Sequence, residues 1–288
     1  MLREYVEESE KKVVRAQRLW RKAFKSIKTG VTTFEEPFHL FSGKDHPDPS
    51  VNESGGRLVD CGGRRLIIFG FCGRQVAREH LSESDNTGNA KVWLSEECLA
   101  YHIAQQSGHQ SFLANFANKR ILELGSGKTG LAGICAANYP GTEVHITDGN
   151  ERAVENVQRI VAANGLRNVK SYVLDWSSPP ETTRKFDTII ASDCVYFERY
   201  HCIIDCMEKL ISEGGTVYIA APERKGSLEL FLSKVDRSKW SLLFVKNPVW
   251  KSALQRLRQV ATERGLPVEF DEDLHFPRLV IMNRVVCQ

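Results

Sequence analysis

The spacing of apolar positions divides the chain into three regions. Over residues 1–28, Val13, Ala16, Trp20, Phe24 and Ile27 recur at three- and four-residue steps, which predicts one amphipathic helix. Lys11, Lys12, Arg15, Arg18, Arg21, Lys22, Lys25 and Lys28 cover its other faces. Over residues 37–90 the apolar runs are short: Phe38–Phe41, Leu58–Cys61 and Arg65–Phe71. Gly, Pro, Asp and Ser clusters at 43–49, 54–56 and 62–63 separate them, which predicts a small antiparallel β element. Ser84–Asn89 is a turn-rich connector. Ser95 is placed to cap a helix beginning at Glu96.

From there the pattern alternates. Apolar strand-like runs occur at Ile121–Leu124, Val144–Thr147, Lys170–Leu174, Phe186–Ala191, Gly214–Ala221 and near Leu242–Val245. Helical periods fall between them at 131–138, after Gly149–Val157 to about Asn164, at 198–211 and 227–235, and in part of 246–265. Arg278–Val286 suits a final antiparallel strand. Strands alternating with helices predict an α/β fold with a mostly parallel, Rossmann-like sheet. The expected organisation is a basic helix and small β extension over 1–90, followed by the main domain over 91–288.

Composition narrows the class. Of the 288 residues, 42% are hydrophobic and 26% charged, ordinary for a globular protein. A formal net charge of +3 gives no global reason to bind nucleic acid. No apolar run is long enough for a membrane span, and Met1–Glu8 is too polar for a signal peptide. A monomer in the cytosol, with the nucleus as a second compartment, is expected. The eight cysteines form no C-x-x-C, and Cys202 and Cys206 have no companion Cys/His pair. Reduced thiols are expected, not a zinc site.

Candidate chemistry centres on Ile121–Gly133. A short strand ends in Gly125-Ser126-Gly127, and a small-residue helix follows. This is the first half of a nucleotide-binding βαβ unit. Asp148 closes the next strand, at the spacing expected of an acid that binds ribose hydroxyls. Gly125, Gly127 and Gly130 satisfy G-x-G-x-x-G, so NAD is one ligand open for the turn. A P-loop is excluded, because its first glycine would fall on Leu122. The third ligand is S-adenosylmethionine. Glu123-Leu-Gly-Ser-Gly127 with Asp148 resembles the motif of class I methyltransferases.

Later residues add to that resemblance. Asp175-Trp176 ends the third strand and Ser192-Asp193-Cys-Val-Tyr196 ends the fourth, so four strand ends carry polar residues toward one sheet edge. In open α/β sheets ligands lie at that edge. The D-x-x-Y step at Asp193 and Tyr196 resembles the seven-β-strand protein methyltransferases of family 16, and disfavours a nicotinamide oxidoreductase. Ser84–Asn89, Trp93–Tyr101, Thr147–Val157, Asp193-Cys194 and Glu272–Pro277 are similar to the subgroup that methylates a lysine of calmodulin. So is the enlarged glycine turn, in which Lys128 is the extra residue. Leu94 replaces the proline expected after the Trp, and Tyr196 stands where that subgroup has Phe.

The resemblance implies a seven-stranded class I sheet, mostly parallel with an antiparallel last strand. It implies S-adenosylmethionine as cofactor, bound by Trp93, Glu123, Gly125, Ser126, Gly127, Asp148, Gly149, Asn150, Asp175, Trp176 and Ser192. Asp175 would accept from the adenine amino group, and Trp176 would cover an adenine face. Trp93 and Trp176 are otherwise ordinary core or rim aromatics. Asp193 and Tyr196 are the candidates for orienting the target amine, with Phe197 as an aromatic wall and Glu223 as a weaker candidate. The implied partner is calmodulin, an acidic protein. The basic helix over 1–28 is either a solvated face or a site for such a partner. Three readings stay open beside it: methylation of another protein's lysine, the disfavoured NAD-binding oxidoreductase, and a catalytically silent calmodulin-binding module.

Overall fold

The computed structural model describes residues 40–41, 43–70, 92–105, 114–195, 200–224, 226–245, 248–263 and 276–286. The helix expected over 1–28, the connector at 84–89, Tyr196, Phe197 and most of Glu272–Pro277 lie outside these residues.

The main sheet has seven strands: β4 (Arg120–Leu124), β5 (Glu143–Asp148), β6 (Val169–Val173), β7 (Phe186–Ser192), β8 (Ile211–Pro222), β9 (Trp240–Phe244) and β10 (Pro277–Arg284). Their order is β6-β5-β4-β7-β8-β10-β9. Strands β4 to β8 pair in parallel, and β10 runs antiparallel to both β8 and β9. The chain winds outward from β4 to β6, then returns to β7 beside β4. The switch point, where a crevice opens beyond the strand ends, therefore lies between β4 and β7.

Apolar runs form these strands because both faces of the sheet are covered. Ile121, Ile190, Tyr218, Ala220 and Leu279 face one buried cluster. Leu122, Leu124, Ile189, Ala191, Val217, Ile219 and Val280 face the other. On the first face lie helices α2 (Leu94–Gln105), α3 (Leu131–Ala136) and α4 (Glu151–Ala163). Helices α5 (Tyr200–Leu210) and α6 (Ser227–Lys234) cover the second. Helix α7 (Pro248–Glu263) packs near α2, where the Trp250 and His102 rings meet edge to face at 5.9 Å.

The small β element is a three-stranded antiparallel sheet of β1 (Gly43–Lys44), β2 (Gly56–Asp60) and β3 (Arg65–Phe69). It shares the first core: Val59, Cys61, Leu66 and Ile68 are buried in the same cluster as Ile121. The Asn164 amide, at the end of α4, donates to Ile67 O and accepts from Ile67 N–H, each at 2.7 Å.

Several expected boundaries move, for local reasons. Leu40 and Phe41 are not in a strand, because their N–H groups both donate to Glu97 Oε1, at 2.6 and 3.4 Å. A short helix α1 (Pro49–Glu53) runs between two of the expected turns, with Asp48 capping it through Ser50 N–H at 2.9 Å. Helix α2 begins at Leu94, so Ser95 lies inside it and is not its cap. Glu96 is then the third helical residue, and its carboxylate accepts from the Trp93 N–H at the cap position. That bond draws the helix start back toward Trp93.

Candidate functional site

The site grows from the end of β4. Gly125 and Gly127 have φ of 63° and 58°, a region that favours glycine. At Gly125 the need is also spatial. A Cβ there would lie 2.6 Å from Cys194 Sγ and 3.1 Å from Trp176 Cζ2. The half-buried Trp176 ring therefore sits against the turn, as does the Cys194 thiol. Cys194 Sγ lies 3.3 Å from Leu124 O and 3.2 Å from Ser192 O. Burial pushes that thiol well above its usual range, with Asp193, Asp148 and Glu123 adding to the effect, so it is a neutral packing group.

Asp148 locks the turn to the end of β5. Its Oδ2 accepts from Gly127 N–H at 2.8 Å, and its Oδ1 from Asn150 N–H at 2.8 Å. Ser126 N–H donates to Thr147 O at 2.9 Å. Gly149 has open space beside it. The Asn150 side chain is occupied as the α4 cap, accepting from Ala153 N–H at 3.0 Å. Asp175 is exposed after β6 and turns the chain by accepting from Ser177 N–H at 2.8 Å. Ser192 ends β7, and Asp193 follows it with its N–H on Ala220 O at 2.8 Å. Trp93 is half-buried at the start of α2.

Glu123 lies beneath the turn, 1% exposed. Its Oε2 accepts from Gly133 N–H at 3.0 Å, fixing α3 to the strand. Its Oε1 is buried without a hydrogen-bond partner. The structure thus brings Glu123, Gly125–Gly127, Asp148–Asn150, Asp175, Trp176, Ser192 and Asp193 to one edge, and Tyr196 lies outside the described residues.

Two residues at this edge are not among the expected site residues. Glu96 reaches from α2 to the glycine turn, accepting from Leu131 N–H at 3.0 Å and from the Thr129 hydroxyl. A Cβ on Gly127 would lie 3.8 Å from its Oε2. Burial raises its carboxyl to about 7; Asp148 adds to that, and the bonds from Thr129, Leu131 and Trp93 oppose it. Its signal was a Glu three residues after Trp93, the reciprocal half of a capping box. The other is Arg224, whose guanidinium grips Asp193 with Nη1–Oδ1 at 2.5 Å and Nη2–Oδ2 at 2.7 Å. No local pattern marks that pair.

A glycine turn locked by an acid is common to several ligands. The sequence decides among them: residues 78–238, more than half of the chain, match the family described as lysine methyltransferase. The chain belongs to the lysine methyltransferase family. It is 34% identical over 180 residues to a calmodulin-lysine N-methyltransferase of Arabidopsis thaliana, covering 58% of this chain and 57% of that one. It is 34% identical over 158 residues to the protein-lysine N-methyltransferase rrg1 of Schizosaccharomyces pombe, covering 50% of each. To the protein-lysine N-methyltransferase EFM3 of Chaetomium thermophilum it is 30% identical over 195 residues, covering 62% and 56%. The chain thus spans about half the length of the curated relatives it matches.

The methyl donor of lysine methyltransferases, S-adenosylmethionine, fits this edge. Its sulfonium is cationic, and the buried acid Asp148 lies against the turn, while Glu96, whose carboxyl is raised to about 7, adds negative charge above that pH. The Trp176 ring offers an apolar face beside Gly125, and its Nε1 is buried with no hydrogen-bond partner. Lys128, the one cation in the turn, directs its side chain toward Gly70 of the extension, and burial lowers its ammonium from the usual lysine range. Membership in this family also removes the nicotinamide reading of G-x-G-x-x-G.

Proposed function

We propose that this chain transfers methyl groups from S-adenosylmethionine to a lysine of calmodulin. The observation that carries the reading is the acid-locked glycine turn, closed by Trp176 and flanked by Asp193, in a chain of the lysine methyltransferase family. The Arabidopsis relative, named for its calmodulin lysine, supports the substrate. So does charge: Lys251, Arg256 and Arg258 are exposed on α7 and suit an acidic protein.

The donor, when bound, supplies an electrophilic methyl group on a positive sulfur. The residues of the chain bind and align. In this reading Asp148 holds the ribose hydroxyls, Asp175 and Trp176 the adenine, and Trp93 borders the cofactor. Glu123 and Asn150 act from behind, fixing α3 and α4. The target must arrive as a neutral amine. Lysine's ordinary pKa is near 10.4, so deprotonation at neutral pH costs roughly 4–5 kcal/mol. Desolvation and a nearby sulfonium both reduce that cost, so no dedicated base is needed. Asp193 accepts an N–H of the amine and aims its lone pair at the methyl carbon. Tyr196 is the proposed second orienting group.

Mass spectrometry of unmethylated calmodulin after incubation with the protein and S-adenosylmethionine tests this. Mass gains in methyl steps at one lysine are expected. An unchanged mass with donor binding intact would rule out calmodulin. It would favour another protein lysine, as the broader names of the two fungal relatives suggest.

A further inference from the structure

Non-glycine residues with φ in the left-handed region are uncommon and carry strain. Among the described residues there are three: Asn118 at 56°, Asp193 at 56° and Arg224 at 44°. Two of them are the two halves of one ion pair, which joins the ends of β7 and β8 beside the switch point. The pair is well sheltered, with side-chain exposures of 8% for Asp193 and 14% for Arg224. The guanidinium spans both carboxylate oxygens, with a hydrogen bond from Nη2 to Oδ2 and an ion contact of Nη1 at Oδ1; this fixes the plane of the carboxylate and leaves Oδ1 buried without a hydrogen-bond partner. Strain at both ends of one pair indicates that its geometry, and not simply its charge, is maintained.

The charge has a consequence for the reaction proposed above. A bare carboxylate beside a lysine amine favours the ammonium form and raises its pKa. The ammonium has no lone pair to give. Asp193 is therefore useful as an acceptor and harmful as an anion. No other side chain at this edge cancels it: Asp148 adds to it, Glu223 is paired with Arg278 at 3.3 Å, the Cys194 thiol stays neutral, and Lys128 runs toward Gly70 of the extension.

We propose that Arg224 is a positioning residue that neutralises Asp193, so that the target lysine meets the carboxylate as a neutral amine. This rests on Asp193 facing the amine in the proposed reaction. Arg224 acts through Asp193 and touches no reacting atom.

The test is the pH dependence of kcat on unmethylated calmodulin between pH 6.5 and 9.5. In Arg224→Gln the alkaline-rising limb is expected to move up by about one pH unit. At pH 7.5 kcat then falls roughly tenfold, and most of the loss disappears by pH 9.5. KM for S-adenosylmethionine should not change. Arg224→Lys, which restores the charge without the fork, should return the limb and leave a pH-independent deficit. Asp193→Asn, which leaves the guanidinium unopposed, should move the limb the other way. It also serves if Arg224→Gln does not fold. An equal loss at every pH in Arg224→Gln, or a stationary limb in Asp193→Asn, overturns the inference while leaving the proposed activity intact. A wild-type protein that binds the donor but leaves calmodulin unmodified overturns the proposed substrate and this inference with it.

Discussion

Glu96 shows how much one side chain can hold. Its carboxylate collects donors from the start of α2, from Thr129 and from Leu131. Its carboxyl is raised to about 7, from 4.5. The native state therefore keeps this proton while the unfolded chain has lost it. The stabilising contribution is full below pH 4.5 and is lost as pH rises through about 7. Glu96→Gln keeps an acceptor and removes the ionisation. The variant should gain about 1–2 kcal/mol over wild type at pH 8 and almost nothing at pH 5, measured by thermal melts. At pH 8, where the carboxyl is ionised, the same change removes a negative charge from the donor's surroundings, so S-adenosylmethionine affinity should fall there. A variant that is both less stable at pH 8 and unchanged in affinity would contradict this assignment. Residues of this kind were only half legible. The i to i+3 relation of Trp93 and Glu96 is local and readable. The bond from Glu96 to Leu131 spans 35 residues, and the Arg224–Asp193 pair spans 31, so neither leaves a trace in any short window.

At the scale of elements, legibility followed burial. The main strands were readable because a sheet covered on both faces leaves unbroken apolar runs, such as Phe186–Ala191. The strand ends were readable because glycine and acidic residues interrupt those runs, as at Gly125, Asp148 and Asp193. The extension was read less well. Leu40 and Phe41 look like a strand, but a carboxylate 57 and 56 residues away takes their N–H groups. The same holds for Asn164, whose amide closes a two-way bond with Ile67 from 97 residues away. Asn164→Ala should cost about 2 kcal/mol, since the freed Ile67 N–H and O are partly buried. Hydrogen exchange is the informative readout. Amides of β3 should lose protection before those of β4. Equal loss in both strands would mean that β3 is held by its apolar face alone.

Across the whole molecule, charge is nearly balanced at +3, so any attraction for an acidic partner has to be local. Helix α7 supplies one such place, with Lys251, Arg256 and Arg258 exposed. Reversing all three to Glu should raise KM for calmodulin several-fold at low ionic strength. The difference should shrink toward unity at about 0.5 M salt, where exposed charges are screened. An unchanged KM at low salt would remove α7 from the encounter.

Asn156 ties these scales together. Its Nδ2 donates to Phe69 O at 3.0 Å and to Lys128 O at 2.8 Å, so one amide joins the last strand of the extension to the enlarged glycine turn. One side chain thus bridges the boundary expected near residue 90. In exchanging parts between relatives, the inserted lysine and the extension form one module. A turn of this length grafted onto a sheet without residues 56–69 would lack its brace, and an extension grafted beside a shorter turn would have nothing to hold.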